Sequence, residues 1–156
     1  MADAQIPEGL TADYKNTGVR AAIHTLQQAP DYTHLAAFLT TLREGFLVVD
    51  VTGTAKKKAT HIRTIRSTKG QLLLPLFTSM DELRAALPKG KGEQAKGAIM
   101  PIDEALRLIH TGKFVAAQFN AGSDALVVLR KYIDLALGDD PIDAEAVEAM
   151  LHPSSI

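Results

Sequence analysis

The stretch from Gly70 to Asp81, Gly-Gln-Leu-Leu-Leu-Pro-Leu-Phe-Thr-Ser-Met-Asp, constrains the fold more than any other part of the chain. An apolar run suited to a buried strand stops at Phe77-Thr78-Ser79. Ser79 and Glu82 then give the Ser-x-x-Glu pattern of a capping box, in which each side chain satisfies an amide at the helix start. A strand that hands over at once to a helix marks an ordered α/β unit.

The rest of the chain agrees. Val19, Ala22, Ile23 and Leu26 recur at helical spacing, and Pro30-Asp31 ends that helix and starts another. Leu35, Phe38, Leu39 and Leu42 form the second helix's apolar stripe, which Gly45 closes. Phe46 to Val51 is short, apolar and β-branched, and reads as a central strand. Gly53 to Ala59 reads as a loop. Thr60–Ser67 and Gln71–Phe77 flank Thr68-Lys69-Gly70, a β-hairpin with Gly70 at the positive-φ position. Pro75 lacks an N–H, which predicts a bulge or an edge there.

Later elements are a helix through Leu83, Ala86 and Leu87, a strand at Gly97–Met100, and a helix through Ile102, Ala105, Leu106 and Ile109. A strand at Phe114–Phe119 follows. Asn120 to Asp124 is a turn, closed by the Ser123 and Asp124 side-chain oxygens. Ala125–Leu129 is either a strand or the lead into a helix through Leu137. Asp140 as N-cap and Pro141 at the first helical position predict a last helix, docked by Val147, Met150 and Leu151.

Interleaved strands and helices predict a single α/β (α+β) domain, with a mixed sheet of about five to six strands covered by helices. A flexible tail is expected over residues 1–15, the domain over 16–138, and a C-terminal helix and tail over 139–156. At 156 residues and 46% apolar content, one domain can bury a core without staples.

Composition excludes several functions. The chain has no cysteine, so thiol catalysis, disulfides and Cys-ligated zinc are out, and a reducing compartment fits. Asp3 and Glu8 interrupt the first ten residues, so no leader peptide is expected. No run approaches the roughly 20 apolar residues of a membrane span, and a cytoplasmic protein is expected. A net charge of −1 gives no field for nucleic acid, and the lack of tryptophan removes a stacking platform. Charge is nevertheless segregated. Residues 51–80 hold no acid but include Lys56, Lys57, Lys58, Arg63, Arg66 and Lys69, a candidate patch for an anionic partner. Beyond Lys131 there is no Lys or Arg, but there are Asp134, Asp139, Asp140, Asp143, Glu145 and Glu148.

Catalytic signatures do not emerge. The five histidines show no metal-ligand spacing, and neither a metal nor a cofactor is expected. Ser123 lies in Ala-Gly-Ser-Asp and lacks the nucleophile-elbow pattern. The glycines near lysine form no phosphate loop. The candidate binding residues are those at strand-to-loop junctions: Phe77, Thr78, Ser79, Asn120, Gly122, Ser123 and Asp124.

Leu74-Pro75-Leu76-Phe77-Thr78-Ser79-Met80-Asp81-Glu82-Leu83 resembles the Pro-x-Phe-Thr-Ser passage and acidic helix of the SseB N-terminal domain family. Phe119-Asn120-Ala121-Gly122-Ser123 looks like that family's Asn-Pro-Gly turn, with Ala121 in the place of proline, a change that predicts a looser turn. Leu35–Leu42 leading into Phe46–Val51 resembles the family's opening. The likeness runs from about residue 17 to 137, without the second domain of longer members. It implies the fold and a bacterial cytoplasmic setting. The family is linked to enhanced serine sensitivity, and it offers no catalytic residue to carry over.

The expected function is a non-catalytic binding module whose partner is another protein or a second copy. The basic hairpin, or its strand edge, would be the contact, and self-association would set that hairpin against the acidic C-terminal helix. The alternative is an enzyme or small-metabolite binder that uses Thr78, Ser79, Asn120, Ser123 and Asp124.

Overall fold

The computed structural model describes residues 4–5, 10–11, 13–52, 62–88, 90 and 95–150. The whole expected loop at Gly53–Ala59, with Lys56, Lys57 and Lys58, the first two residues of the expected hairpin strand, Thr60 and His61, and Leu151 of the expected last helix lie outside these residues. Helices α1 (Thr17–Gln28) and α2 (Tyr32–Thr41) open the domain after β1 (Ala4–Gln5). Next come β2 (Phe46–Asp50), β3 (Ile65–Arg66), β4 (Leu72–Phe77), α3 (Met80–Ala86) and β5 (Gly97–Pro101). The chain continues through α4 (Ile102–Thr111), β6 (Ala116–Phe119), β7 (Leu126–Leu129), α5 (Arg130–Leu137) and α6 (Ala144–Ala149).

The strands form one open mixed sheet in the order β1-β5-β2-β4-β6-β7, with β3 also paired to β4. The α+β expectation holds. Among the described residues the sheet has the expected strands plus β1, whose two residues carry too little pattern to be counted from sequence, and the first hairpin strand is β3, confined to Ile65–Arg66. β1 comes from the stretch expected to be a tail, and Lys15 in the same stretch bridges to Ser79.

Side chains alternate between two cores, as strand geometry requires. Leu47, Val49, Leu74, Leu76, Ala117, Phe119 and Val128 face a large core with α1, α2, α4, α5 and α6. Phe119 meets Phe38 edge-on there, with ring centroids 5.2 Å apart. Val48, Phe77 and Ile99 face a smaller core under Met80 and Leu83 of α3. β2 is thus buried on both sides, which explains its unbroken apolar run.

Local signals placed most elements. Asp31 caps α2 by accepting from the His34 amide at 2.8 Å, and Gly70 has φ +78°. Ala125–Leu137 resolves into a strand followed at once by a helix, so both readings of it were partly right.

Two expectations need correction. Pro75 lies in an interior strand, and its neighbours pair without a bulge against β6. It is tolerated because β4 changes partner on its other side. Leu73 pairs with Ile65, Leu76 pairs with Val49, and the Asp50 carbonyl between them accepts from the Arg63 amide at 2.9 Å. The last helix is capped by Asp143, whose Oδ1 accepts from the Ala146 amide at 2.9 Å, and Asp140-Pro141 precede it in the connection. Asp143→Ala is therefore expected to cost about 1 kcal/mol in urea unfolding, and Asp140→Ala almost nothing.

The topology decides where the candidate residues go. β4 and β6 are parallel neighbours, so their carboxyl ends lie side by side, as do the Thr78 and Asn120 that follow them. The Asn120 amide continues the ladder to the Leu76 carbonyl at 2.9 Å.

Candidate functional site

Asn120 is fully buried and has φ +51°, a left-handed conformation that asparagine tolerates better than most residues. Its Oδ1 accepts from the Thr78 amide at 3.0 Å. Its Nδ2 donates to Thr78 Oγ1 at 3.1 Å and to Asp124 Oδ2 at 2.9 Å. Its carbonyl accepts from the amides of Ser123 and Ala125. The turn is thus closed by the Asn120 carbonyl and by Asp124 Oδ2, which accepts from Asn120 Nδ2, whereas the Ser123 hydroxyl reaches outward to Glu82.

Ser123 Oγ donates to Glu82 Oε1 at 2.5 Å, and Arg20 pairs with the other Glu82 oxygen at 3.1 Å. Asp124 is held by His24 Nε2 at 2.8 Å and lies 3.8 Å from Arg20 Nε. Gln27 Nε2 donates to the Asp124 carbonyl at 2.7 Å. Ser79 caps α3 as expected, accepting from the Glu82 amide at 3.2 Å. The Glu82 carboxylate does not complete the capping box, because Arg20 and Ser123 outcompete the Ser79 amide for it. Gly122, which follows Ala121, sits so close to the backbone of Ala85 and Ala86 that a Cβ there would lie 2.7 Å from the Ala85 carbonyl.

The structure therefore brings Thr78, Asn120, Ser123 and Asp124 together, and adds Arg20, His24 and Glu82, which sequence reasoning missed. Ser79 adjoins them as the cap, and Gly122 seats the turn. Phe77 belongs to the smaller core instead. Asn120 and Glu82 are buried in the cluster and the Asp124 side chain is largely so, while Arg20 and His24 at its rim are about half exposed. Among the described residues no buried side-chain nitrogen or oxygen lacks a partner, and no three His, Asp or Glu side chains converge as a metal site. Beside Phe77 there is a hollow of about 100 Å³, lined by Asp50, Arg63, Pro75 and Ala121 among others. That is well below the roughly 300 Å³ at which small-molecule sites begin.

The described basic residues are engaged separately. Arg63 Nε lies 3.8 Å from Asp50, Arg66 donates to the Gly70 carbonyl at 2.9 Å, and Lys69 is exposed in the turn.

An open apolar feature lies along the β7 edge of the sheet, beyond β6. β7 is an edge strand, and its sequence Leu126-Val127-Val128-Leu129 has no charge or proline to guard it. Val127 and Leu129 are each 47% exposed. A groove of about 660 Å³ runs beside them, walled by Leu26, Pro30, Asp31, Tyr32, Leu35 and Tyr132. Burial, and then the neighbouring Tyr32, lifts the Tyr132 phenol above its usual range. The only sequence sign of this surface was a short, fully apolar run, which reads equally well as a buried strand.

An open mixed sheet with one helical layer and a single small helix on its far face defines the class as a one-domain α+β protein. The model of the SseB protein N-terminal domain matches residues 19–133, and the chain belongs to that family. The match begins at Val19, the first core residue of α1, and ends at Ile133 in the core of α5. No curated protein and no solved structure is significantly similar to it. Among the described residues no helix is long and apolar enough to cross a membrane.

Proposed function

We propose that the chain is a binding module without chemistry of its own, and that it docks a partner protein strand along β7. The single observation that carries this reading is the β7 edge, with Val127 and Leu129 half-exposed on one face of it and an apolar groove running along the other. Exposed apolar patches on soluble proteins mark interaction sites, and an edge strand offers backbone groups to an added strand. The cluster around Asn120 supports the non-catalytic part, because its buried donors and acceptors are spent on one another. A bacterial cytoplasmic setting goes with this reading.

Affinity capture from the source cells at physiological salt tests it, with wild type, Val127→Lys and Lys69→Glu compared side by side. The expected result is a bound protein that Val127→Lys loses and Lys69→Glu keeps. Loss with Lys69→Glu alone would move the contact to the basic hairpin. Turnover of a metabolite that disappears with Ser123→Ala would replace the reading by the enzymatic one.

A further inference from the structure

Resting on the reading of β7 as a docking edge, we infer that its occupant is a second copy of this chain, paired β7 to β7 antiparallel about a two-fold axis at Val128.

The backbone sets the register. Arg130 donates its amide to the Val115 carbonyl at 2.9 Å, and Ala117 pairs with Val128 and Phe119 with Leu126. In an antiparallel ladder, alternate residues bond the same neighbour, so the even-numbered positions of β7 serve β6. The N–H and C=O of Val127 and Leu129 therefore point away from the sheet. A second strand must present its own outward groups to them. An axis at Val127 would pair Leu129 with Ala125, which sits in the turn with φ +51°. An axis at Leu129 would pair Val127 with Lys131, which is already in α5. An axis at Val128 pairs Val127 with the partner's Leu129, and Leu129 with the partner's Val127. Both pairs then exchange two backbone bonds between true strand residues.

Side chains fit the same register. The two half-exposed residues on the far face, Val127 and Leu129, become cross-strand neighbours and cover each other. On the helical face Val128 is buried in the core of its own copy, and the two-fold sets the two Val128 positions directly opposite each other across the seam. Charge favours the antiparallel sense. Asp124 before β7 is held within its own chain by His24, Arg20 and Asn120, and Arg130 after it by the carbonyls of Gly112 and Phe114, so the charges offered at this edge are Lys131 beyond β7 and Asp31 on the groove wall. The His34 amide, the largest influence on the Asp31 carboxyl, holds it below the usual carboxylate range and keeps it charged. Antiparallel entry places the two Lys131 at opposite ends of the seam, whereas parallel entry would set Lys131 against Lys131. Such a contact is isologous and closes on itself. A head-to-tail contact between the hairpin and the acidic helix would not.

Sedimentation velocity of the full chain across the micromolar range tests the dimer. Wild type is expected to shift toward twice the chain mass, and Val127→Lys to weaken dimerisation at least about tenfold. Circular dichroism should show Val127→Lys folded as wild type. The register has its own test, because the chain has no cysteine. Directly opposed residues are close enough for a disulfide, so Val128→Cys should oxidise to a covalent dimer and Leu129→Cys should not. Efficient self-crosslinking of Leu129→Cys alone would overturn the register. A wild type that stays at one chain mass overturns the inference. If Val127→Lys still loses a captured protein in that case, the docking edge stands with a different occupant. If wild type dimerises and Val127→Lys dimerises equally, while Lys69→Glu does not, the hairpin contact replaces the β7 pairing.

Discussion

Asn120→Ala is expected to lower the unfolding free energy by about 3 kcal/mol, measured by urea denaturation. The amide is fully buried and links β4, the turn and Asp124. Truncation leaves the Thr78 N–H without its acceptor and removes a donor from a carboxylate that is itself largely buried. An unmet buried group costs more than the net worth of an ordinary hydrogen bond, and a bond to a charge is stronger still. Alanine also tolerates φ +51° less well than asparagine. Asn120→Asp separates size from hydrogen bonding. It keeps an acceptor for the Thr78 amide but sets a second carboxyl against Asp124. Burial and the like charge would raise the folded pKa of the new carboxyl above its unfolded value. Its stability should therefore fall as pH rises through the folded pKa and recover on acidification. An Asn120→Ala variant as stable as wild type would remove this network from the account of the fold.

Local chemistry made most of the fold legible. The stripe of Val19, Ile23 and Leu26, the Asp31 and Ser79 caps, and Gly70 each act over a few residues, and each stands where sequence placed it. The errors came where tertiary partners decide. Pro141 and the aspartates around it offer competing helix starts, and the docking of Val147 in the large core accompanies the one at Asp143. Pro75 was read by an edge-strand rule, but what admits it is a change of partner along β4, which no window of sequence reveals.

The candidate site divides in the same way. Thr78, Asn120, Ser123 and Asp124 were visible as junction and turn residues, because their chemistry suits such positions. Their partners were not. His24 lies a hundred positions from Asp124 in the chain, and Arg20 and Glu82 come from helices whose neighbours depend on strand order. The β7 surface was hidden for the same reason. A four-residue apolar strand becomes an exposed edge only when no further strand pairs with it, and among the described residues none pairs with β7 beyond β6.

Gly122→Val is expected to cost about 3 kcal/mol, because the position has no room for even a first carbon. A Cβ there would sit 2.7 Å from the carbonyl carbon and oxygen of Ala85 and 2.8 Å from the Ala86 amide. These are backbone atoms at the end of α3, so no flexible side chain can yield. The turn must lift instead. Gly122 has no positive φ, so the requirement is for space rather than an unusual backbone shape. Lifting the turn draws Ser123 from Glu82 and strains the Asn120 contacts to Thr78. The Gly122 and Asn120 changes thus act on one unit. Their double mutant should lose clearly less than the sum of the singles, since groups in a shared network do not add. Additive losses in urea unfolding would show that the seat of the turn on α3 and the buried amide stabilise the domain independently.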